Sequence, residues 1–292
     1  MYQFPIGMII DCLQSDFEGG FYGDEFDRAL EKVATMGIQA IQMYATTGNY
    51  SPKVLNTAEK RRNLLNQVKS HGLCYSALCS YFGIGFWDRE KNPQLIEDTK
   101  RILDLAKDLE TDVVMTHIGV VLNDKKHDRY KIMQEACYEL SEYAHSIDAY
   151  FAVETGPEKA DILKGFLDDL GSKGAKVNFD PANLVMVQDV DPIESLYTLK
   201  DYIVHVHAKD GIHVWDKDPE VVYGIKKEAV KTPRAGKELP LGEGAVDFSK
   251  MLSALDEIGY RGFLTIERER GENPELDIRN AVEFLKGIML EN

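Results

Sequence analysis

Apolar positions along the chain fall into two alternating rhythms. Short runs rich in β-branched or aromatic residues lie at 4–10, 40–44, 74–79, 112–118, 150–154, 175–180, 202–208 and 262–267. Gly, Pro, Asp or Asn bound each of them, as expected of buried strands. Between them, apolar residues recur at helical spacing over 24–36, 57–71, 93–110, 128–149, 159–171, 192–201 and 248–259, with a last helix over about 273–290. Pro93 and Pro192 suit first-turn positions, where a missing N–H costs nothing, and Gly37, Gly72 and Gly259 suit left-handed helix ends.

Eight β-then-α units without a break in composition predict a single α/β domain over residues 1–292, a closed (β/α)8 TIM barrel. An open doubly wound sheet is the rival, but no GxGxxG follows the first strand, which weakens its nucleotide-binding version. The longest stretch without a clear rhythm, about 210–246, lies between the seventh strand and its helix. Loops of that length are usually functional, so it is read as a lid.

The active site of such a barrel lies at the carboxyl ends of its strands. Strand five ends FAVE on Glu154, strand six ends VNFD on Asp180, strand seven reads IVHVHA with His207 near its end, and strand eight reads FLTIE up to Glu267. Taken singly, each has an ordinary explanation: a solvated rim glutamate, a helix-capping aspartate, a hydrogen-bonded strand histidine. Four on successive strands at one rim point to a shared divalent cation, because three clustered carboxylates repel one another without one. Three oxygen donors and one imidazole suit Mn²⁺ first, with Mg²⁺, Co²⁺ or Zn²⁺ as alternatives. His205 shares a strand face with His207, roughly 6–7 Å deeper, and is read as an internal hydrogen-bonding group. His117, at the end of strand four, is a candidate to line the pocket or to play a structural part. Trp87, Phe86, Tyr44 and Trp215 are candidates to pack the apolar face of a substrate, with ordinary packing as the alternative.

Charge and cysteine content narrow the partners. With 49 acidic against 34 basic residues the net charge is −15, which opposes binding to nucleic acid or anionic membranes. No apolar run approaches the roughly 20 residues that span a bilayer. The amino-terminal segment lacks the basic start of a secretory signal, and the four cysteines form no CxxC pair. A cytoplasmic protein acting on a neutral substrate, or one met by a local cation, is the expectation, with homo-oligomerisation open.

The segments VETG, NFDPANL, HVHAKD, LPLGEGAVDF and GYRGFLTIERE resemble the xylose isomerase-like barrel superfamily, which includes sugar phosphate isomerases/epimerases and endonuclease IV-type enzymes. The resemblance covers roughly the second half of the chain. It implies a metal held by Glu154, Asp180, His207 and Glu267, with the two glutamates flanking the substrate and exchanging its proton. It also implies that Lys209 and Asp210 shape the site and that Gly242, Glu243 and Gly244 form a rim turn. Ketose 3-epimerases of that superfamily carry a substrate-touching His where this chain has Asn183 and an Arg where it has His213. Those two positions are substrate-binding candidates of altered chemistry.

The expected activity is metal-dependent isomerisation or epimerisation of a ketose or keto-polyol, by proton transfer through an enediolate, with Glu154 and Glu267 as the acid–base pair. An inosose-type dehydratase begins with the same proton abstraction and is the first alternative. An endonuclease IV-like nuclease is disfavoured by the net charge and by only seven histidines. A non-catalytic sugar-binding barrel is a further alternative.

Overall fold

The computed structural model describes residues 2–13, 21 and 24–291. Strands and helices alternate as β1 (Ile6–Ile9), α1 (Glu25–Thr35), β2 (Ala40–Tyr44), α2 (Ala58–Ser70), β3 (Cys74–Cys79), α3 (Asn92–Asp108), β4 (Val113–Thr116) and α4 (Asp128–Ser146). The second half continues with β5 (Tyr150–Glu154), α5 (Ala160–Leu170), β6 (Ala175–Phe179), the short α6 (Pro181–Asn183), α7 (Pro192–Leu199) and β7 (Ile203–Ala208). After β7 come β8 (Asp210–His213), α8 (Pro219–Val222), β9 (Gly236–Leu239), α9 (Phe248–Glu257), β10 (Leu264–Ile266) and α10 (Pro274–Glu291).

Eight of these strands close into a barrel in the order β1-β10-β7-β6-β5-β4-β3-β2, every pairing parallel. The fold is the expected single-domain (β/α)8 barrel. Helix boundaries follow local chemistry. Thr57, Asp191 and Asp247 accept hydrogen bonds from backbone N–H groups of Lys60, Ile193 and Lys250, starting α2, α7 and α9. Gly37 joins α1 to β2 at φ 74°, a conformation in which a side chain would be strained.

Alternation along the strands sorts side chains onto two faces. Phe151 and Val153, Val177 and Phe179, Val206 and Ala208, and Leu264 and Ile266 all point outward into the apolar layer shared with the helices. Burying a side chain of this kind contributes roughly 1.5–3 kcal/mol, so the strands form a stiff platform. The opposite face of the same four strands carries Ala152, Asn178, His205 and Thr265, and at the rim Glu154, Asp180, His207 and Glu267. That settles which face is inward. The apolar part of the barrel interior is small: Ala77, Cys79, Val113, Met115 and Ala152.

Two segments differ from the expectation. The stretch after β7 is not irregular: β8 and β9 form an antiparallel hairpin, with α8 between them. Residues 181–188, between the expected sixth strand and the next helix, form α6 running directly into a π-helical turn, Leu184–Gln188. The hydrogen-bonded strands are also shorter than the apolar runs, so His117, Asp180 and Glu267 each lie just beyond a strand end.

Candidate metal and active site

Glu154, Asp180, His207 and Glu267 converge: one donor atom from each lies within 4.8 Å of all the others, and all four residues are buried. His207 Nδ1 lies 2.9 Å from Glu267 Oε2, 3.4 Å from Glu154 Oε1 and 3.8 Å from Asp180 Oδ2. On the other side of the ring, His207 Nε2 donates to Gln42 Oε1 at 3.0 Å. A proton held there leaves Nδ1 as the nitrogen that faces the carboxylates, the orientation a metal ligand needs.

The carboxylates are held by their other contacts. Asp180 Oδ1 accepts the Asn183 N–H at 3.0 Å and so caps α6, while its Oδ2 has no hydrogen-bond partner. Glu154 Oε1 accepts from Asn183 Nδ2 at 3.0 Å, and His117 Nε2 lies 3.5 Å from Oε2. Glu267 Oε2 faces the His207 ring at 2.9 Å, and Lys209 Nζ sits 3.1 Å from Oε1. Buried carboxylate oxygens without donors are costly unless something cationic satisfies them. Three carboxylates beside the Lys209 ammonium and the His207 ring leave net negative charge, which a divalent cation neutralises. The residues present therefore fit such an ion.

Electrostatics reinforce this picture. Burial opposes the charge of Glu154, but the neighbouring imidazoles of His117 and His207, with Lys209, outweigh it and hold the carboxyl well below its usual range. Burial also opposes the Lys209 ammonium, yet Glu267, Glu269 and Asp180 keep it protonated far above its ordinary value. His205 is pushed well down by burial and by His207, so it stays neutral. Its Nδ1 bonds to Asn178 Oδ1 at 2.8 Å and its Nε2 to Thr265 Oγ1 at 2.9 Å. A polar ladder thus runs up the barrel interior beneath the four rim residues.

Of the remaining substrate-binding candidates, the structure brings Asn183, Lys209 and His117 against the cluster. Trp87 stands further out, half-buried, over Gly119 in the loop after β4. His213 lies on β8, its ring nitrogens bonded to the Met186 carbonyl and to Asp216, and no contact joins it to the cluster among the described residues. Phe86 is fully buried against Phe151, whereas Trp215 is half exposed. Sequence reasoning missed Gln42 and Asn178. A polar residue inside an apolar strand (AIQMY, KVNF) is the signal that could have found them.

Glu158 was missed as well. It is 5% exposed, accepts the Val121 N–H at 3.0 Å, and leaves its other oxygen unpartnered. Burial pushes its pKa up from 4.5 to about 8. The folded chain thus keeps a proton that the unfolded chain releases above its lower pKa, so this contribution to stability is complete at low pH. It is lost as pH rises through the folded-state value. Glu158→Gln removes that loss. Its melting temperature, followed by circular dichroism, is expected to exceed the parent's at about pH 9 and to show no such gain at about pH 5. Equal gains at both would refute it.

A closed parallel barrel whose carboxyl rim gathers three acids and an imidazole around one point defines a barrel protein with a site able to hold a divalent cation. Residues 30–288 match the xylose isomerase-like TIM barrel family, and the chain belongs to it. The L-ribulose-5-phosphate 3-epimerase UlaE of Escherichia coli is 23% identical over 299 residues, covering 98% of this chain and 95% of that protein. Among solved structures, a xylose isomerase domain protein from Planctomyces limnophilus superposes with a TM-score of 0.78 at 25% identity, covering 99% of this chain and 97% of that one. The probable 3-DHS dehydratase AsbF from Bacillus anthracis shares the fold with a TM-score of 0.72 at 18% identity, covering 98% and 99%.

Proposed function

We propose that this chain is a divalent-cation-dependent sugar isomerase or epimerase acting on a ketose or keto-polyol. The observation that carries the reading is the buried four-residue cluster, in which Asp180 keeps an unpartnered carboxylate oxygen. The similarity to UlaE over nearly the whole length supports it. Glu154, Asp180, His207 and Glu267 would hold the ion, and oxygen-rich donors favour Mn²⁺ or Mg²⁺. Such an ion supplies Lewis-acid polarisation of a carbonyl and stabilises charge that develops beside it.

The chain's own groups would do the rest. One glutamate takes the proton from the carbon next to the carbonyl, and the other returns a proton from the opposite side. Lys209, 3.1 Å from Glu267, would orient that carboxylate. Asn183 would orient Glu154 through its amide. His207 keeps its ring turned by bonding Gln42. Four free cysteines and the absence, among the described residues, of any helix long and apolar enough to cross a membrane accord with a reducing, cytoplasmic setting.

The test is incubation of Mn²⁺-loaded protein with free and phosphorylated ketoses and with keto-polyols in D₂O. Solvent deuterium is expected at a carbon next to the carbonyl, together with an epimer or aldose product. Loss of a hydroxyl would move the protein to the dehydratases. No exchange with any compound, despite bound metal, would remove the isomerase reading.

A further inference from the structure

One wall of the site comes from a residue on none of the barrel strands. Tyr223 follows α8, inside the excursion between the two hairpin strands. Its ring meets the His117 ring at a centroid distance of 5.4 Å and an angle of 64°, and Tyr81 meets the same imidazole at 5.2 Å and 84°. His117 in turn touches Glu154, so Tyr223 stands one side chain away from a candidate proton-transfer group.

The phenol hydroxyl reaches over Gly156, two residues beyond Glu154. A Cβ at Gly156 would lie 2.8 Å from that hydroxyl and 2.5 Å from the Asn183 Cβ, and the residue has φ 138°. Space and backbone conformation therefore both keep this position free of a side chain. Burial, followed by the nearby charges of Glu154, Asp180 and Glu158, pushes the phenol's ionisation well up, so it keeps its proton and remains a donor.

The excursion is fastened where it carries this tyrosine. Asp218 caps α8 by accepting the Glu220 N–H at 2.9 Å. The buried Glu220 carboxylate pairs with Arg129, in the first turn of α4, and with Lys226. Two residues past Tyr223, the Ile225 side chain comes up to Gly119 beside Trp87. A residue that merely covered the rim would need no such fastening from both sides.

We propose that Tyr223 is a substrate-contacting residue, its hydroxyl donating a hydrogen bond to a hydroxyl of a polyhydroxy substrate held against Glu154, and that the Glu220–Arg129 pair positions it. This rests on the sugar reading above. The chemistry it recognises is a neutral hydroxyl, the group in which sugars and their reduced polyols are alike.

The test compares the full-length, Mn²⁺-loaded parent with Tyr223→Phe and Glu220→Gln. It uses kinetics on any ketose turned over, calorimetric titration of xylitol and sorbitol as unreactive polyols, and thermal melting. Tyr223→Phe is expected to raise KM and the polyol Kd about tenfold while kcat falls less than about threefold, with little change in melting temperature. Glu220→Gln moves KM in the same direction by a smaller factor, and an unmoved KM overturns its positioning part. A Tyr223→Phe variant that melts earlier but keeps the parent's KM and polyol affinity marks the tyrosine as packing and overturns the contact. If the parent binds polyol yet turns over no ketose, the isomerase reading falls and the ten-fold loss of polyol binding in Tyr223→Phe still supports the contact. A parent that does neither overturns both.

Discussion

Glu154→Gln and Glu267→Gln are each expected to lower kcat about a thousandfold and to abolish deuterium exchange from solvent. A positioned acid or base contributes roughly 10²–10⁴ to such a reaction. Glutamine keeps the shape and one coordinating oxygen but cannot accept the proton. Both carboxylates also face the ion, so metal content must be measured alongside rate. A variant that retains its metal and loses exchange identifies the missing proton acceptor. A variant that loses its metal as well shows only that the carboxylate is a ligand. Asp180→Asn is the control: its carboxylate also faces the ion, but it has no proposed proton-transfer role. Exchange above about a tenth of the parent rate in both glutamate variants would refute their assignment as the acid–base pair.

Stripping the ion is expected to have the second largest effect. After dialysis against a chelator, activity should fall below about 1% of its starting value, and added Mn²⁺ should restore it. Stability should fall with it, because an ion at about 100 times its Kd stabilises the folded state by roughly 2.7 kcal/mol. For a chain of this size that corresponds to a drop of roughly 5–10 °C in melting temperature. Lys209 already offsets part of the charge among the three carboxylates. The stripped protein should therefore remain folded, with a single cooperative melt. Full activity and an unmoved melt after verified metal removal would refute metal dependence.

Much of this arrangement was legible in the sequence because both its periods are strong. The runs around Glu154, Asp180, His207 and Glu267 alternate cleanly, and a residue at the end of a parallel strand has only one rim to occupy. The choice of His207 over His205 also followed from depth along one strand. What could not be read depends on closure of the barrel. Gln42 meets His207 across 165 residues of chain, and nothing local to AIQMY names that partner. The hairpin escaped because DGIH and GKEL are short, polar strands separated by residues 214–235, with no tight turn between them. Glu158 and Tyr223 sit in loops, where side-chain direction follows from packing rather than from period. The π-helical turn after Asn183 continues α6 without any residue that would announce it.

The four rim residues belong to β5, β6, β7 and β10, which are neighbours in the closed sheet. The four-residue cluster is therefore eccentric, set against one arc of the barrel, while the loops that follow β1 to β4 face it from the other arc. The four donors thus come from the second half of the chain, and the first half reaches them through Gln42, which bonds His207, and His117, which touches Glu154. Loop changes in the first half that spare those two residues can alter the facing wall without touching the four donors.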